Sequence, residues 1–185
     1  MAKSNHVRII GGDWRSRRIS FPDHESLRPS ADRVRETLFN WLGQDLVGQR
    51  CLDLFAGSGA LGFEALSRGA ACVVMVEKSR RVCEALRRNA ELLAAKNLQL
   101  HCADALEFAT VAAADAAARF DVVFLDPPFR STLVAQALPR VAPLLRPQAR
   151  VYVESATAFA ASGGWRILRQ GHAGQVHYTL VTYGN

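Results

Sequence analysis

The chain has 185 residues, 49% hydrophobic and 22% charged, which excludes a disordered, collagen-like or disulfide-framework chain. Lys and Arg number 23 against 17 Asp and Glu, and the resulting charge of +6 favours an anionic partner. No run approaches the ~18 apolar residues of a membrane span, and the N-terminus has no apolar signal-peptide stretch, so a soluble, cytoplasmic protein is expected.

The basic excess is concentrated at the N-terminus. Lys3, Arg8, Arg15, Arg17 and Arg18 face the single acid Asp13, so residues 1–18 carry +4 of the net +6. Two strand-like runs flank Gly11-Gly12-Asp13, which predicts a β-hairpin. Arg28-Pro29-Ser30 then opens a helix capped by Ser30. Val34, Leu38, Trp41 and Leu42 recur at helical spacing, and Gly43 ends it. Residues 1–44 are therefore expected to form a basic hairpin-plus-helix extension, and 45–185 one α/β domain.

From residue 50 short apolar runs alternate with helical stretches. Strands are expected at 51–55, 72–76, 98–102, 120–125 and 150–153, and helices at 60–68, 79–95, 105–118 and 133–145. Continuous apolar strands separated by helices predict a parallel sheet covered on both faces. Two further strands, 165–169 and 176–182, are separated only by 171–174. That is too short for a crossover helix, so the final pair should be antiparallel. The cysteines (51, 72, 83 and 102) form no CxxC pair and read as buried, reduced thiols. The five histidines show no metal-ligand spacing, and no metal is expected. Trp41 and Phe39 read as packing residues; Trp14 suits either a stacking role or a hairpin cap.

The first strand runs into Asp53-Leu54-Phe55-Ala56-Gly57-Ser58-Gly59-Ala60-Leu61-Gly62, a GxGxxG turn between strand and helix that lets a ligand approach the backbone. Glu77 lies 20 residues beyond Gly57, at the end of the second strand, where a carboxylate can accept from ribose hydroxyls. Asp53 would repel a pyrophosphate but suits a ligand bearing an ammonium group. Asp104, followed by Ala105, ends the third strand. There it can cap a helix or accept a hydrogen bond from an adenine amine. A series of strand-end acids lies where an open α/β sheet binds ligands. The pattern resembles class I S-adenosylmethionine-dependent methyltransferases. That resemblance implies a Rossmann-like, doubly wound seven-stranded sheet with its last strand antiparallel. It also implies a cofactor site at Asp53, Phe55, Gly57, Gly59, Glu77, Asp104 and Ala105.

The fourth strand ends in Asp126-Pro127-Pro128-Phe129. Proline donates no hydrogen bond, so this loop offers acceptors: the Asp126 carboxylate and the Pro127 carbonyl can both accept from one planar NH2 group. Phe129 adds a face on which a base can stack. The loop resembles the (D/N/S)PP(Y/F) motif of exocyclic-amine methyltransferases.

Taken together, RIIGGDWRSRRISFP, LRPSADRVRETLFNWL, DLFAGSGALGFEALSRGA, DPPF and VYVE resemble the RsmD family of bacterial small-subunit (16S) ribosomal RNA guanine-N2 methyltransferases, from Arg8 to about Tyr183. The resemblance implies methyl transfer from S-adenosylmethionine, with Asp126, Pro127 and Phe129 as catalytic residues. Ribosomal RNA, or the assembling 30S particle, is the implied partner and the monomer the expected state. The basic residues Arg8, Arg15, Arg17, Arg18, Arg28, Arg33 and Arg130 are candidates for RNA contact, the N-terminal ones as an arm beside the DPPF pocket. Adenine N6 or a protein glutamine remain alternative targets of the same chemistry, and an RNA-binding module and a nicotinamide oxidoreductase alternative classes.

Overall fold

The structure, a computed structural model, describes residues 4–22, 32–115, 118–129 and 131–184. Strands β1 (Ser4–Arg8) and β2 (Arg18–Pro22) form an antiparallel hairpin with Arg8 opposite Arg18. Its connection is longer than the Gly-Gly-Asp turn expected: Ile9 and Arg17 continue the pairing, and the chain turns between them. Helix α1 (Asp32–Leu42) follows; its expected cap, Ser30, lies outside the described residues.

The remainder alternates as expected: β3 (Arg50–Asp53), α2 (Ala60–Ser67), β4 (Cys72–Glu77), α3 (Arg80–Leu93), β5 (Leu98–Cys102), α4 (Ala105–Ala112), β6 (Phe120–Leu125), α5 (Leu133–Val141), β7 (Leu145–Ser155), β8 (Trp165–Ala173) and β9 (Val176–Tyr183). These strands form one seven-stranded sheet in the order β5-β4-β3-β6-β7-β9-β8, and β9 runs antiparallel to both its neighbours. Four boundaries differ from the sequence reading, the first being β8, which runs to Ala173, four residues beyond its expected end. Helix α4 ends at Ala112, six residues early. Helix α5, which already contains Pro139, gives way to a 3-10 turn over Ala142–Leu144, where Pro143 removes a second backbone donor. Strand β7 begins at Leu145, five residues early, and bulges against β6.

Alternation along the strands divides the core in two. Cys51, Val73, Met75, Val122, Phe124 and Tyr152 face α1, α2, α3 and the hairpin. Leu52, Val74, Val123, Val151 and Val153 face α4 and α5. The N-terminal extension belongs to the first core: Ile9, Ile19, Phe21, Leu38 and Phe39 are buried with the sheet residues. Trp14 packs partly buried against the same core, and its backbone N–H donates to Ser67 Oγ at 2.9 Å. Not all the cysteines are buried as expected. Cys51 and Cys83 are, but Cys72 is half-buried and Cys102 exposed, because β5 is the sheet's edge.

Sandwiched between sheet and hairpin, α2 buries every one of its residues, including Glu64. The Glu64 carboxylate accepts from the backbone N–H groups of Ile10 (2.9 Å) and Gly11 (2.8 Å), from Arg68 Nε (2.9 Å) and from Arg35 Nη1 (3.4 Å). Arg35 is itself buried and also pairs with Asp32 and the Arg8 carbonyl. This network fastens the hairpin to the domain.

Candidate active site

The strand-end acids line one open cleft of about 1640 Å³ along the carboxyl edge of the sheet. Single small-ligand pockets run ~300–1,000 Å³, so there is room for a cofactor and a second reactant. Asp53, Phe55, Gly57, Glu77, Asp104 and Ala105 line it from the ends of β3, β4 and β5, and Asp126, Pro127 and Phe129 from the end of β6. The topology explains why they converge. Strands β5, β4, β3, β6 and β7 all run in parallel, so their C-terminal residues meet at one edge.

The first turn is braced from within. Asp53 Oδ2 accepts from Gly62 N–H at 3.0 Å. A Cβ on Gly62 would lie 2.3 Å from Met75 Cε and 3.2 Å from Asp53 Oδ2, so a larger residue would have to displace the Met75 tip. Asp53 is 1% exposed and its Oδ1 has no hydrogen-bond partner among the described residues. Burial, with the Glu77 charge adding to it, pushes the Asp53 carboxyl up to about 7. Glu77 accepts from Gly57 N–H at 3.0 Å and Ser79 N–H at 2.7 Å. A carboxylate has about four lone-pair sites, so Glu77 can hold the glycine turn and still accept from a ligand. Asp104 does cap α4, accepting from Leu106 and Glu107 N–H through Oδ1 alone, so its two readings from the sequence are compatible.

Gly59 departs from expectation. It stands behind the cleft wall, where a Cβ would strike Leu86 and Phe63, and its φ of +80° turns the chain into α2. At the end of β6 Pro127 is buried, Asp126 half-buried and Phe129 50% exposed, an arrangement that leaves an aromatic face at the rim.

The basic residues are scattered differently from what the sequence suggested. Asp13 N–H donates to the Ser67 carbonyl at the end of α2, and Arg17 Nη2 donates to the Leu92 carbonyl at the end of α3, both at 2.8 Å. In a parallel sheet helices end at the amino edge, so the hairpin tip with Arg15 and Arg17 lies at the edge opposite the cleft. The expectation of an arm beside the DPPF loop is corrected accordingly: the hairpin is held there by α2 and α3. Arg15, Arg17 and Arg18 are exposed, Arg8 pairs with Asp32 at 3.2 Å, and Arg33 is exposed in the first turn of α1. Arg28 and Arg130 lie outside the described residues. Among the described residues no three His, Cys, Asp or Glu side chains are grouped to hold a metal, and no helix is long and apolar enough to cross a membrane.

Glu154 was missed from the sequence and lines the same cleft. The Tyr152 hydroxyl donates to its Oε1 at 2.6 Å. Burial, with Glu154 and Asp126 nearby, raises the Tyr152 phenol well above its usual range, so it stays protonated and remains a donor. Across the β7–β9 ladder Glu154 faces Tyr178, which packs on Trp41 with ring centres 5.4 Å apart. The signal was available: Glu154 directly follows the apolar run expected at 150–153, as Asp126 follows its own.

A seven-stranded sheet of this order, with a glycine turn after β3 and acids closing successive strands, defines a class I methyltransferase, the class whose cofactor is S-adenosylmethionine. The family model described as Conserved hypothetical protein 95 matches residues 7–182. Ribosomal RNA small subunit methyltransferase D of Escherichia coli is 42% identical over 97% of this chain and 94% of its own length. Its Haemophilus influenzae counterpart is 40% identical over 94% and 92%. The chain belongs to the RsmD family. The solved structure of the E. coli yhhF protein superposes with a TM-score of 0.85 at 41% identity, covering 97% of this chain and 99% of that one. A Thermus thermophilus 16S rRNA N2 G1207 methyltransferase, solved with S-adenosylmethionine and guanosine, shares the fold at 23% identity and a TM-score of 0.73, over 99% of this chain and 50% of that one.

Proposed function

We propose that this protein transfers the methyl group of S-adenosylmethionine to the exocyclic N2 amine of a guanine in small-subunit (16S) ribosomal RNA. It would act as a cytoplasmic monomer on the RNA or on the assembling 30S particle. The observation that carries this reading is the end of β6: Asp126, the Pro127 carbonyl and the exposed ring of Phe129 line the same cleft as the strand-end acids. Relatives named for small-subunit rRNA methylation support the choice of RNA.

The residues present fit the cofactor. The orphaned Oδ1 of Asp53 suits an ammonium group, Glu77 a ribose, and Asp104 with Ala105 an adenine; Phe55 lines the same wall. When bound, S-adenosylmethionine supplies a methyl group already activated by its sulfonium. The chain's task is then largely positioning. Asp126 and the Pro127 carbonyl accept the two N–H bonds of the amine and draw its lone pair out of conjugation with the ring. Phe129 stacks on the base, worth ~1–3 kcal/mol. The amine must shed one proton as it gains the methyl group, and Asp126 takes it.

Incubating the enzyme with labelled S-adenosylmethionine and rRNA, naked and in assembled particles, tests the reading by mass spectrometry. Label in N2-methylguanosine is expected; label in N6-methyladenosine or in a protein glutamine overturns it.

Asp53 gives the cofactor site a pH dependence. Its carboxyl is raised from 3.8 to about 7, so ionising it opposes folding increasingly as pH rises from the unfolded value toward 7. A cation beside Oδ1 relieves that penalty. Cofactor affinity measured by calorimetry should therefore climb as pH rises to about 7. Asp53→Asn, which keeps the bond to Gly62, should lose this climb. A climb that survives in Asp53→Asn removes the ammonium from Asp53.

The hairpin arginines give a second test. Phosphates held by Arg15, Arg17 and Arg18 belong to RNA that reaches the amino edge of the sheet, remote from the modified base. Neutralising all three should make the slope of log K against log salt shallower by up to ~2, at ~0.7 per contact for single strands. Cofactor affinity should be unchanged. Coincident slopes would leave the three as a solvated hairpin face.

A further inference from the structure

We propose that Glu154 is the residue that reads the target as guanine, by accepting the base's N1–H. The inference rests on the guanine-N2 reading above and adds what selects that base. An amine held by Asp126 and the Pro127 carbonyl brings its neighbouring ring position against the next strand. Strand β7 pairs in parallel with β6, Leu125 beside Val153, so the residues that follow, Asp126 and Glu154, are neighbours across a strand spacing of ~4.8 Å. Both line the cleft.

The neighbouring position separates the possible substrates. Guanine places a donor, N1–H, beside its exocyclic amine. Adenine places the N1 acceptor beside N6, cytosine the N3 acceptor beside N4, and a glutamine side chain its own carbonyl oxygen beside the amide nitrogen. A carboxylate at that position satisfies guanine and confronts each of the others with two acceptors face to face. Leaving a buried polar group unpaired is the strongest means a site has of rejecting an analogue.

Glu154 is prepared for this role. The Tyr152 hydroxyl donates to Oε1 at 2.6 Å from a ring that is fully buried, while Tyr178 stands opposite on β9. One carboxylate oxygen is thereby fixed, and a carboxylate has about four lone-pair sites in all. Tyr152 is the positioning residue and Glu154 the one that touches the base. The charge of Glu154 next to N1–H also raises electron density on the ring, which favours attack by the adjacent amine.

The test uses 2-aminopurine, which keeps the 2-amino group of guanine but presents N1 as an acceptor. Small subunits are reconstituted with it at the mapped position and compared with guanine-containing ones. Wild type should favour guanine by roughly 10–100-fold in kcat/KM, the range of one unpaired buried group. In Glu154→Gln the amide can donate to an unprotonated N1, so guanine should lose, 2-aminopurine gain, and the ratio fall to within about fivefold. The missing O6 of the analogue is common to both enzymes, so the change in ratio isolates N1. Tyr152→Phe should narrow the ratio partway, with cofactor affinity by calorimetry unchanged in both variants. A wild type that methylates the two purines equally overturns the inference without any variant, as does a folded, cofactor-binding Glu154→Gln enzyme with the wild-type ratio. Label found outside guanine N2 in wild type signals instead that the underlying reading has failed.

Discussion

Asp126→Ala should lower turnover at least ~100-fold while leaving S-adenosylmethionine affinity nearly intact, the pattern of an interaction made only in the transition state. The residue follows β6, whereas Asp53, Glu77 and Asp104 stand at the ends of β3, β4 and β5, so its loss leaves the residues proposed to hold the cofactor in place. Asp126→Asn should retain more activity, because an amide oxygen still accepts one N–H but takes no proton. Single-turnover rates at saturating cofactor, with calorimetry on the same preparations, provide the comparison. Wild-type turnover in a folded Asp126→Ala enzyme would remove the carboxylate from the chemistry.

The largest stability effect is expected away from the cleft. Glu64 and Arg35 are 0% and 1% exposed, and Arg35 Nε has no partner among the described residues. Glu64→Ala would leave that guanidinium with only Asp32 and the Arg8 carbonyl as partners and orphan the N–H groups of Ile10 and Gly11. A loss of ~3–5 kcal/mol is expected, as for other buried pairs broken on one side, read as a lower urea midpoint. Glu64→Gln keeps an acceptor for the hairpin and should lose less. If Glu64→Ala unfolds within ~1 kcal/mol of wild type, the hairpin is held by its apolar contacts instead.

The sheet was legible because most of its central strands are short apolar runs, and the acids that line the cleft were conspicuous because Asp53 and Glu77 close such runs while Asp104 and Asp126 stand just beyond theirs. What escaped has physical reasons. Glu154 directly follows the strand expected at 150–153, but a lone glutamate there gives no sign that the Tyr152 hydroxyl will hold it in the cleft. Gly59 shares the GxGxxG pattern with its neighbours, and no spacing tells which glycine faces a ligand and which a phenylalanine. Glu64 reads as an ordinary helix-surface acid; its burial depends on the hairpin folding back over α2, a contact more than 50 residues distant along the chain. The position of the basic tip failed for the same reason, since charge along a sequence carries no information about which edge of a sheet it will reach.

The order of strands also divides labour. Those carrying Asp104, Glu77 and Asp53 (β5, β4 and β3) lie to one side of the β3–β6 ladder, and those carrying Asp126, Glu154 and Tyr178 (β6, β7 and β9) lie to the other. The ladder is the point where the chain reverses its direction of travel across the sheet, and the two halves are inherited as separate stretches of sequence: residues 50–104 and 120–183. An ancestor of such a chain could keep its methyl donor untouched while substitutions accumulated in the second stretch alone. Retargeting is then a matter of editing a few strand ends in one half of a gene, with the costly machinery of donor binding carried along unchanged.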